Sequence, residues 1–425
     1  MSYADFASFG ISRDVYDRSE QALTRVEPVF TRIRATRASN QLRVIQAMRE
    51  VGLAESALGG TTGYGYDDRG REQIEQVYAH VFGAEAALVR LQISSGTQAI
   101  SACLFGLLRP GDELLSVTGT PYDTLLESIG QPGQTEDKGS LADFGITYRQ
   151  VELSPDGSPD ADAIRQALQP RTRVVLVQKS RGYSTRRSLR HADLASIVEI
   201  VRSAGSRAII MTDNCYGEFV ETQEPCHAGV DLCAGSLIKN PGGGLCPSGG
   251  YIAGRADLVE KVAVHLSAPG LGSHVGPTLG FNRLIAQGFY LAPLIVAESL
   301  KGAVFAAAML ELSGFTSHPG PDDPRGDLIQ SVLLGGEQKL IQFCQAIQAA
   351  SPVDSFVQPE PWPMPGYQDP VIMAAGTFVQ GASIELSADG PLRPPYPAYL
   401  QGGLSFDQVR LAIMMAVEKM EHPPR

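Results

Sequence analysis

Excess positive charge, paired cysteines and a leader-like N-terminus are all missing from this 425-residue chain. Lysine and arginine total 35 against 46 aspartates and glutamates, a net charge of −11, which argues against nucleic acid or an anionic membrane as the main partner. The six cysteines (Cys103, Cys215, Cys226, Cys233, Cys246 and Cys344) contain no C-x-x-C pair. Four of them fall between residues 215 and 246 at gaps of 11, 7 and 13, too loose for a zinc cluster, so no metal is expected. Reduced, mostly buried thiols of a cytosolic protein are the expectation. Met1 to Phe6 shows no basic region leading into an apolar core, so no signal peptide is visible. The most apolar long segment, Leu291 to Leu312, is interrupted by Pro293, Glu298 and Lys301 and reads as a buried connecting helix rather than a membrane span. A soluble, cytoplasmic protein follows as the expectation. There is no Walker loop or Ser-His-Asp order, and no G-x-G-x-x-G follows the first strand, which sets a nicotinamide dehydrogenase far down the order.

What is abundant is glycine, 45 residues, which suits many tight turns and close backbone approaches. Hydrophobic content of 43% and charged content of 19% are those of a globular chain large enough for two domains. Residues 12 to 57 carry apolar positions at helical steps (Leu42, Ile45, Met48, Val51) and end at Gly59-Gly60, predicting an N-terminal helical arm over residues 1–60. A second helix is predicted from Gly70 to Phe82. Short apolar runs then alternate with helical ones. Strands are predicted at Ala87–Leu91, Glu113–Val117, Thr147–Val151, Val174–Gln178, Ile209–Thr212 and Tyr251–Ala253. The helices of this region are placed at Thr97–Leu108, Asp160–Leu168, Ala192–Ser203 and Ala256–Ala263. That alternation predicts an α/β domain with a mostly parallel sheet over residues 61–285. From 286 to 425 a connecting Ala/Leu helix reaches residue 313, then a Pro/Gly/Asp-rich break at Ser317–Asp327. Segments Val371–Phe378 and Gly381–Leu386 and a closing helix Ser405–Lys419 complete a smaller α+β domain.

The chemistry concentrates in Ser236-Leu-Ile-Lys239-Asn-Pro-Gly-Gly-Gly244, where an apolar run delivers one lysine into a glycine bend. Upstream, the run Ala208-Ile-Ile-Met-Thr212 ends in Asp213. Lysine forms Schiff bases with carbonyl compounds once desolvation or a neighbouring cation lowers its pKa. A carboxylate that keeps a pyridine nitrogen protonated makes the ring an electron sink. Together the two residues point to pyridoxal 5'-phosphate, although most lysines are merely solvated and many strands end in aspartate. Ligands of open α/β sheets gather at the carboxyl ends of the strands. There Ser95-Gly96-Thr97, at the start of a helix, forms either an anion cradle or a simple N-cap. Tyr122 can lay its ring on a flat cofactor or simply pack. The cations Lys179, Arg181, Arg186, Arg187 and Arg190 form either an anion site or a solvated face. His191, His227, His265 and His274 are given no role.

These residues resemble the fold-type I pyridoxal phosphate enzymes, and more narrowly the methionine gamma-lyase-like family also described as aluminium-resistance proteins. The resemblance is carried by Tyr64-Gly-Tyr-Asp-Asp-Arg-Gly-Arg71, Ser95-Gly-Thr-Gln-Ala99, Asp213-Asn-Cys-Tyr-Gly-Glu-Phe219, Ala234 to Gly244 and Gln401-Gly-Gly-Leu404. It implies that Lys239 carries the Schiff base and Asp213 pairs with the pyridine nitrogen. It also implies that Ser95, Gly96, Thr97 and Ser236 hold the phosphate and that Tyr122 stacks on the ring. In related enzymes a Tyr–Arg pair from a neighbouring subunit completes the phosphate site, which implies a homodimer or a homotetramer with shared sites. Tyr66 is the matching tyrosine; Asp68 stands where the arginine is expected, leaving Arg69 or Arg71 to substitute. Ile238 likewise replaces a phosphate-binding threonine. The segment Ser383 to Arg393 resembles the one that supplies the substrate-carboxylate arginine, which points to Arg393.

The resulting expectation is a carbon–sulfur lyase that takes a sulfur amino acid and releases a thiol, a keto acid and ammonia. An aminotransferase or decarboxylase on the same scaffold, and a non-catalytic cofactor-binding regulator, are the alternatives.

Overall fold

The computed structural model describes residues 1–130, 138–184, 186–364 and 369–422. The chain opens with α1 (Tyr3–Ala7) and the long α2 (Arg13–Val51), followed by α3 (Arg69–Phe82). The first α/β layer runs through β1 (Ala86–Arg90), α4 (Gly96–Leu107), β2 (Glu113–Ser116), α5 (Asp123–Ile129), β3 (Thr147–Gln150) and α6 (Ala161–Ala167). It continues through β4 (Thr172–Gln178), α7 (His191–Ser203), β5 (Ile209–Asp213), β6 (Leu232–Ser236), β7 (Gly250–Gly254) and α8 (Ala256–Leu266). The apolar α9 (Asn282–Leu312) leads to β8 (Thr316–His318), β9 (Gln330–Leu333), α10 (Glu337–Ala349), β10 (Val371–Ala374), β11 (Ser387–Pro391), β12 (Pro397–Gln401) and α11 (Phe406–Glu421).

Seven strands form the first sheet, in the order β1-β7-β6-β5-β4-β2-β3. Its centre, Val174-Val-Leu-Val177 beside Ile209-Ile-Met211, is fully buried, as a sheet covered by helices on both faces requires. All neighbours are parallel except β7, which runs antiparallel to β1 and β6. The carboxyl ends of β4, β5 and β6 therefore open onto one edge, where Gln178 and Asp213 stand side by side and Ser236 follows two residues beyond Ala234, the partner of Asp213. A five-stranded antiparallel sheet, β10-β11-β12-β9-β8, forms the second body, backed by α10 and α11.

The strand β6 was not anticipated, because Leu232-Cys-Ala-Gly-Ser236 lacks the β-branched residues that mark its neighbours. The region predicted as a segment at Gly381–Leu386 is turn; the strand begins at Ser387. Gly381 has φ +79°, and the Glu385 carboxylate accepts the N–H groups of Phe378 and Val379, which folds the backbone away from a sheet. The break at 317–327 also gives its first two residues to β8.

The N-terminal arm is no free appendage. The helix α2 starts on the Ser12 cap and ends at Gly52, whose φ of +68° closes it in the left-handed conformation. Its first half (Val15, Ala22, Val26, Val29, Phe30) packs into the core under the second sheet, and Val44 and Ala47 pack into that of the first. The helix α9 is long and apolar enough to cross a membrane by composition, yet it lies mostly buried between the same two cores.

Candidate active site

Where β4, β5 and β6 end, a cavity of about 880 Å³ opens between the two sheets. Ser95, Gly96, Thr97, Tyr122, Asp213, Ser236, Lys239 and Arg393 all line it. These eight are the residues singled out in the sequence, Tyr66 excepted.

Asp213 is the buried last residue of β5, and its carboxylate accepts the backbone N–H of Cys215 at 3.0 Å. Burial raises its pKa, and the Lys239 charge pulls against that rise. Lys239 sits after β6 at the mouth of a tight turn, Asn240–Gly242. The glycines there are obligatory for steric reasons: a Cβ on Gly242 would lie 1.9 Å from the Leu237 carbonyl oxygen, and one on Gly243 would lie 2.3 Å from that of Gly288. The Asn240 amide donates to the Glu218 carbonyl at 2.9 Å and pins the turn.

The Lys239 ammonium lies 4.0 Å from the centre of the Tyr216 ring. Burial favours the neutral amine, but Cys215, Tyr216, Asp213 and Tyr122 outweigh it, so the net pKa is raised. Desolvation does lower it, as expected, but the neighbouring Cys215, Tyr216 and Asp213 favour the cation more strongly. A pyridine nitrogen taking up Asp213 would remove part of that stabilisation.

The start of α4 is an anion cradle in its geometry. Ser95 is the N-cap, and its hydroxyl accepts the Gln98 N–H at 3.0 Å, which leaves its own O–H to donate. The N–H groups of Gly96 and Thr97 remain outside the intrahelical ladder. A Cβ on Gly96 would meet Cys215 Sγ at 3.0 Å and Ser236 Cβ at 3.4 Å, so only glycine leaves this approach open. Tyr122 donates its hydroxyl to Thr97 at 3.2 Å, while its backbone N–H donates to Gln178 Oε1 at 3.1 Å. Burial, followed by the nearby Asp213 charge, holds its phenol well above the usual range. A planar, phosphorylated pyridine carrying an aldehyde fits this donor set: helix-terminal N–H groups, a buried carboxylate at a strand end, and a lysine between them.

Four placements bear on the sequence reading. Tyr66 is 53% exposed and stacks on Tyr64 at 5.4 Å, outside its own chain's cavity. Arg71 is buried, donating to the carbonyls of Gly65, Gly276 and His274, and Asp68 caps α3 while accepting from Thr278 and Asn282. Of the two arginines left open, only Arg69 is exposed. Arg393 lies at the cavity rim, half exposed and paired with Asp369 at 3.2 Å. The basic run proves largely internal: Lys179 and Arg181 are buried beside Glu221 and Asp327.

Sequence reasoning missed the polar layer behind the lysine. Tyr251 donates its hydroxyl to Glu218 at 2.8 Å, and Asn214 donates to Tyr251 and Glu224 at 3.2 Å each. Burial pushes the Glu218 carboxyl up to about 8. The motif from Asp213 to Phe219 holds two of these residues, but only the fold brings Tyr251 beside them. Also missed were Asp389 and Tyr399 on the cavity wall, while the basic run brings Arg181 onto it together with Gln178 and Tyr183.

Comparison with known proteins agrees with this geometry. The family described as Methionine gamma-lyase matches residues 15–421. The uncharacterized protein YnbB of Bacillus subtilis (strain 168) is 54% identical over 381 residues, 90% of each chain. The L-methionine gamma-lyase of Pseudomonas putida is 29% identical over 192 residues, 44% of this chain and 42% of that enzyme. A crystal structure of a carbon–sulfur lyase involved in aluminium resistance from Clostridium novyi NT superposes with a TM-score of 0.95 at 45% identity, covering 99% of this chain and 100% of that one. A match over nearly the whole length, together with the lysine, the strand-end aspartate and the helix-terminal cradle in one cavity, shows that the chain belongs to the methionine gamma-lyase family, enzymes of fold type I whose cofactor is pyridoxal 5'-phosphate.

Proposed function

We propose that this chain is a carbon–sulfur lyase acting on a sulfur amino acid, of the methionine gamma-lyase or cystathionine beta-lyase type. The observation that carries the reading is the convergence of Lys239, Asp213 and the α4 N-terminus on one cavity with an arginine at its rim. The overall reaction breaks one C–S bond, consumes water, and yields a thiol, a keto acid and ammonia.

When bound, pyridoxal 5'-phosphate supplies the electron sink that makes loss of the α-proton feasible. Lys239 would hold the cofactor through its amine and, when that amine is free, would serve as the general base for the substrate α-proton. The turn glycines hold the lysine's backbone so that little beyond the side chain has to move. Asp213, buried at the end of β5, would face the ring nitrogen, in a setting where its charge acts strongly. Gly96 and Thr97 N–H groups, with the hydroxyls of Ser95, Thr97 and Ser236, would hold the phosphate, and Tyr122 would cover the ring. Arg393 takes the substrate carboxylate on exchanging Asp369 for it.

The exposed Tyr64–Tyr66 pair and Arg69 have nothing to do within their own cavity. We assign Tyr66 and Arg69 to a neighbouring copy's phosphate, which makes the enzyme a homodimer or homotetramer with shared sites. Incubation of the purified protein with a panel of sulfur amino acids and no added keto acid tests the activity. Keto acid and ammonia released together support the lyase. Keto acid alone, with the amino group retained on the cofactor, establishes an aminotransferase, and no response to any amino acid favours a regulatory role.

A further inference from the structure

The cavity wall opposite the lysine belongs to the second sheet, where antiparallel pairing sets Asp389 on β11 directly across from Tyr399 on β12. Side chains two apart on a strand share a face, so Gln401 joins them on the cavity side. Charge accounting on this wall leaves one group over. Arg393 pairs with Asp369 at 3.2 Å, and Arg181 lies 3.9 Å from Asp327 while donating to the His318 carbonyl. Lys239 is committed to the cofactor. Asp389 has no ion-pair partner among the described residues.

Asp389 is only 4% exposed, and one oxygen accepts from Gln401 Nε2 at 3.1 Å. Among the described residues Oδ1 has no hydrogen-bond partner, while a hydrogen bond from Tyr183 acts on the carboxyl. A buried carboxylate without a counter-ion is costly, and burial pushes this one up to about 7. If the position served only to hold Gln401 and Tyr183, a neutral amide would do so without that cost. A cation brought by the ligand turns the same residue from a liability into an ion pair with charge-assisted hydrogen bonds.

We propose that Asp389 is a specificity-determining residue that selects amino acids whose side chain ends in an ammonium group. The inference rests on the reading of this cavity as an amino-acid site. It is tested by equilibrium binding to the holoenzyme at pH 8, followed by the cofactor's absorbance band, with L-ornithine and L-norleucine. The two are nearly isosteric, differ in the terminal charge, and have no thiol to expel, so the measurement does not depend on lyase turnover.

Ornithine should bind roughly tenfold to a hundredfold tighter, the range of a hydrogen bond to a charged group. Asp389→Asn keeps the side-chain shape and should bring the two ligands within about threefold of each other, leaving norleucine binding and the resting spectrum unchanged. Asp389→Ser, neutral and smaller, should give the same collapse. Equal affinities in the wild type, or a preference that survives both substitutions, overturns the proposal. A bound cofactor that responds to neither ligand overturns the amino-acid reading of the cavity and this assignment with it.

Discussion

Replacing Arg71 and Arg69 in turn should separate folding from cofactor binding within one short motif. Arg71 is 2% exposed, and its guanidinium donates to Gly65 at 2.7 Å, Gly276 at 2.9 Å and His274 at 3.2 Å. These bonds tie the tyrosine loop to residues 274–276. Arg71→Ala deletes a charged donor and strands buried carbonyls; hydrogen bonds to charged groups are worth about 1.5–3 kcal/mol each, and they are not additive, so a loss of about 3–5 kcal/mol is expected. With about 2.1 cal/mol/K of unfolding entropy per residue, a chain of this size loses roughly 1 °C per kcal/mol if it melts as one unit. The melting temperature should therefore fall by about 3–5 °C. Arg69→Ala, at an exposed position, should leave melting within about 1 °C but weaken cofactor retention in a dialysis assay read at the cofactor's absorbance band. The reverse pattern, with Arg71→Ala neutral for melting and Arg69→Ala harmless to cofactor retention, would sink both assignments.

Four further outcomes follow from the site. Borohydride reduction should fix the cofactor on the peptide containing Lys239, and recovery of the label on Lys179 or Lys261 would refute that role. Asp213→Asn should retain cofactor, because the α4 cradle persists, yet lose turnover by orders of magnitude; near wild-type rates would mean another residue faces the ring nitrogen. Mixed Tyr66→Phe and Lys239→Ala subunits should regain activity on exchange, and no recovery despite proven exchange would point to self-contained protomers. Glu218, faced by Tyr251, Glu224 and Lys239, has a folded pKa of about 8 against an ordinary 4.5. The folded state thus holds a proton that the unfolded state has released, so this group's contribution is full below pH about 4.5 and is lost as pH rises towards 8. Glu218→Gln should flatten that limb of the stability profile measured by denaturant titration, and an unchanged slope would show that Glu218 does not titrate there.

The parts of the molecule legible in the sequence are those where local pattern and global role coincide. Val174 to Gln178 and Ile209 to Asp213 are apolar, β-branched and punctuated, and the lysine turn announces itself through three consecutive glycines. Strands β11 and β12 were missed because Ser387 to Pro391 and Pro397 to Gln401 carry prolines and glycine, residues that read as loop yet serve here in a small antiparallel sheet. The helix α5 was hidden because it is only seven residues long and follows a turn. Asp389 could not be weighed at all: its meaning depends on which cations around it are already paired, and those partners are set by tertiary packing alone. Arg71 shows the same limit, since an arginine in a family motif and an arginine holding three carbonyls look identical in sequence.

The way α2 is anchored has a consequence for how the polypeptide assembles as it leaves the ribosome. Its first half lies against α9 and α11, the latter ending at Glu421, and shares a core with α10. The apolar stripe from Val15 to Phe30 is therefore made early and sheltered late, because its cover includes α11, far downstream in the chain. Val44 and Ala47, by contrast, rest chiefly on α3, β7 and α9, made earlier. During translation the helix should dock from its C-terminal end towards its beginning, against the direction in which it was made. A nascent chain arrested before residue 406 should accordingly leave residues 15–30 open to protease while those near 44–47 are protected.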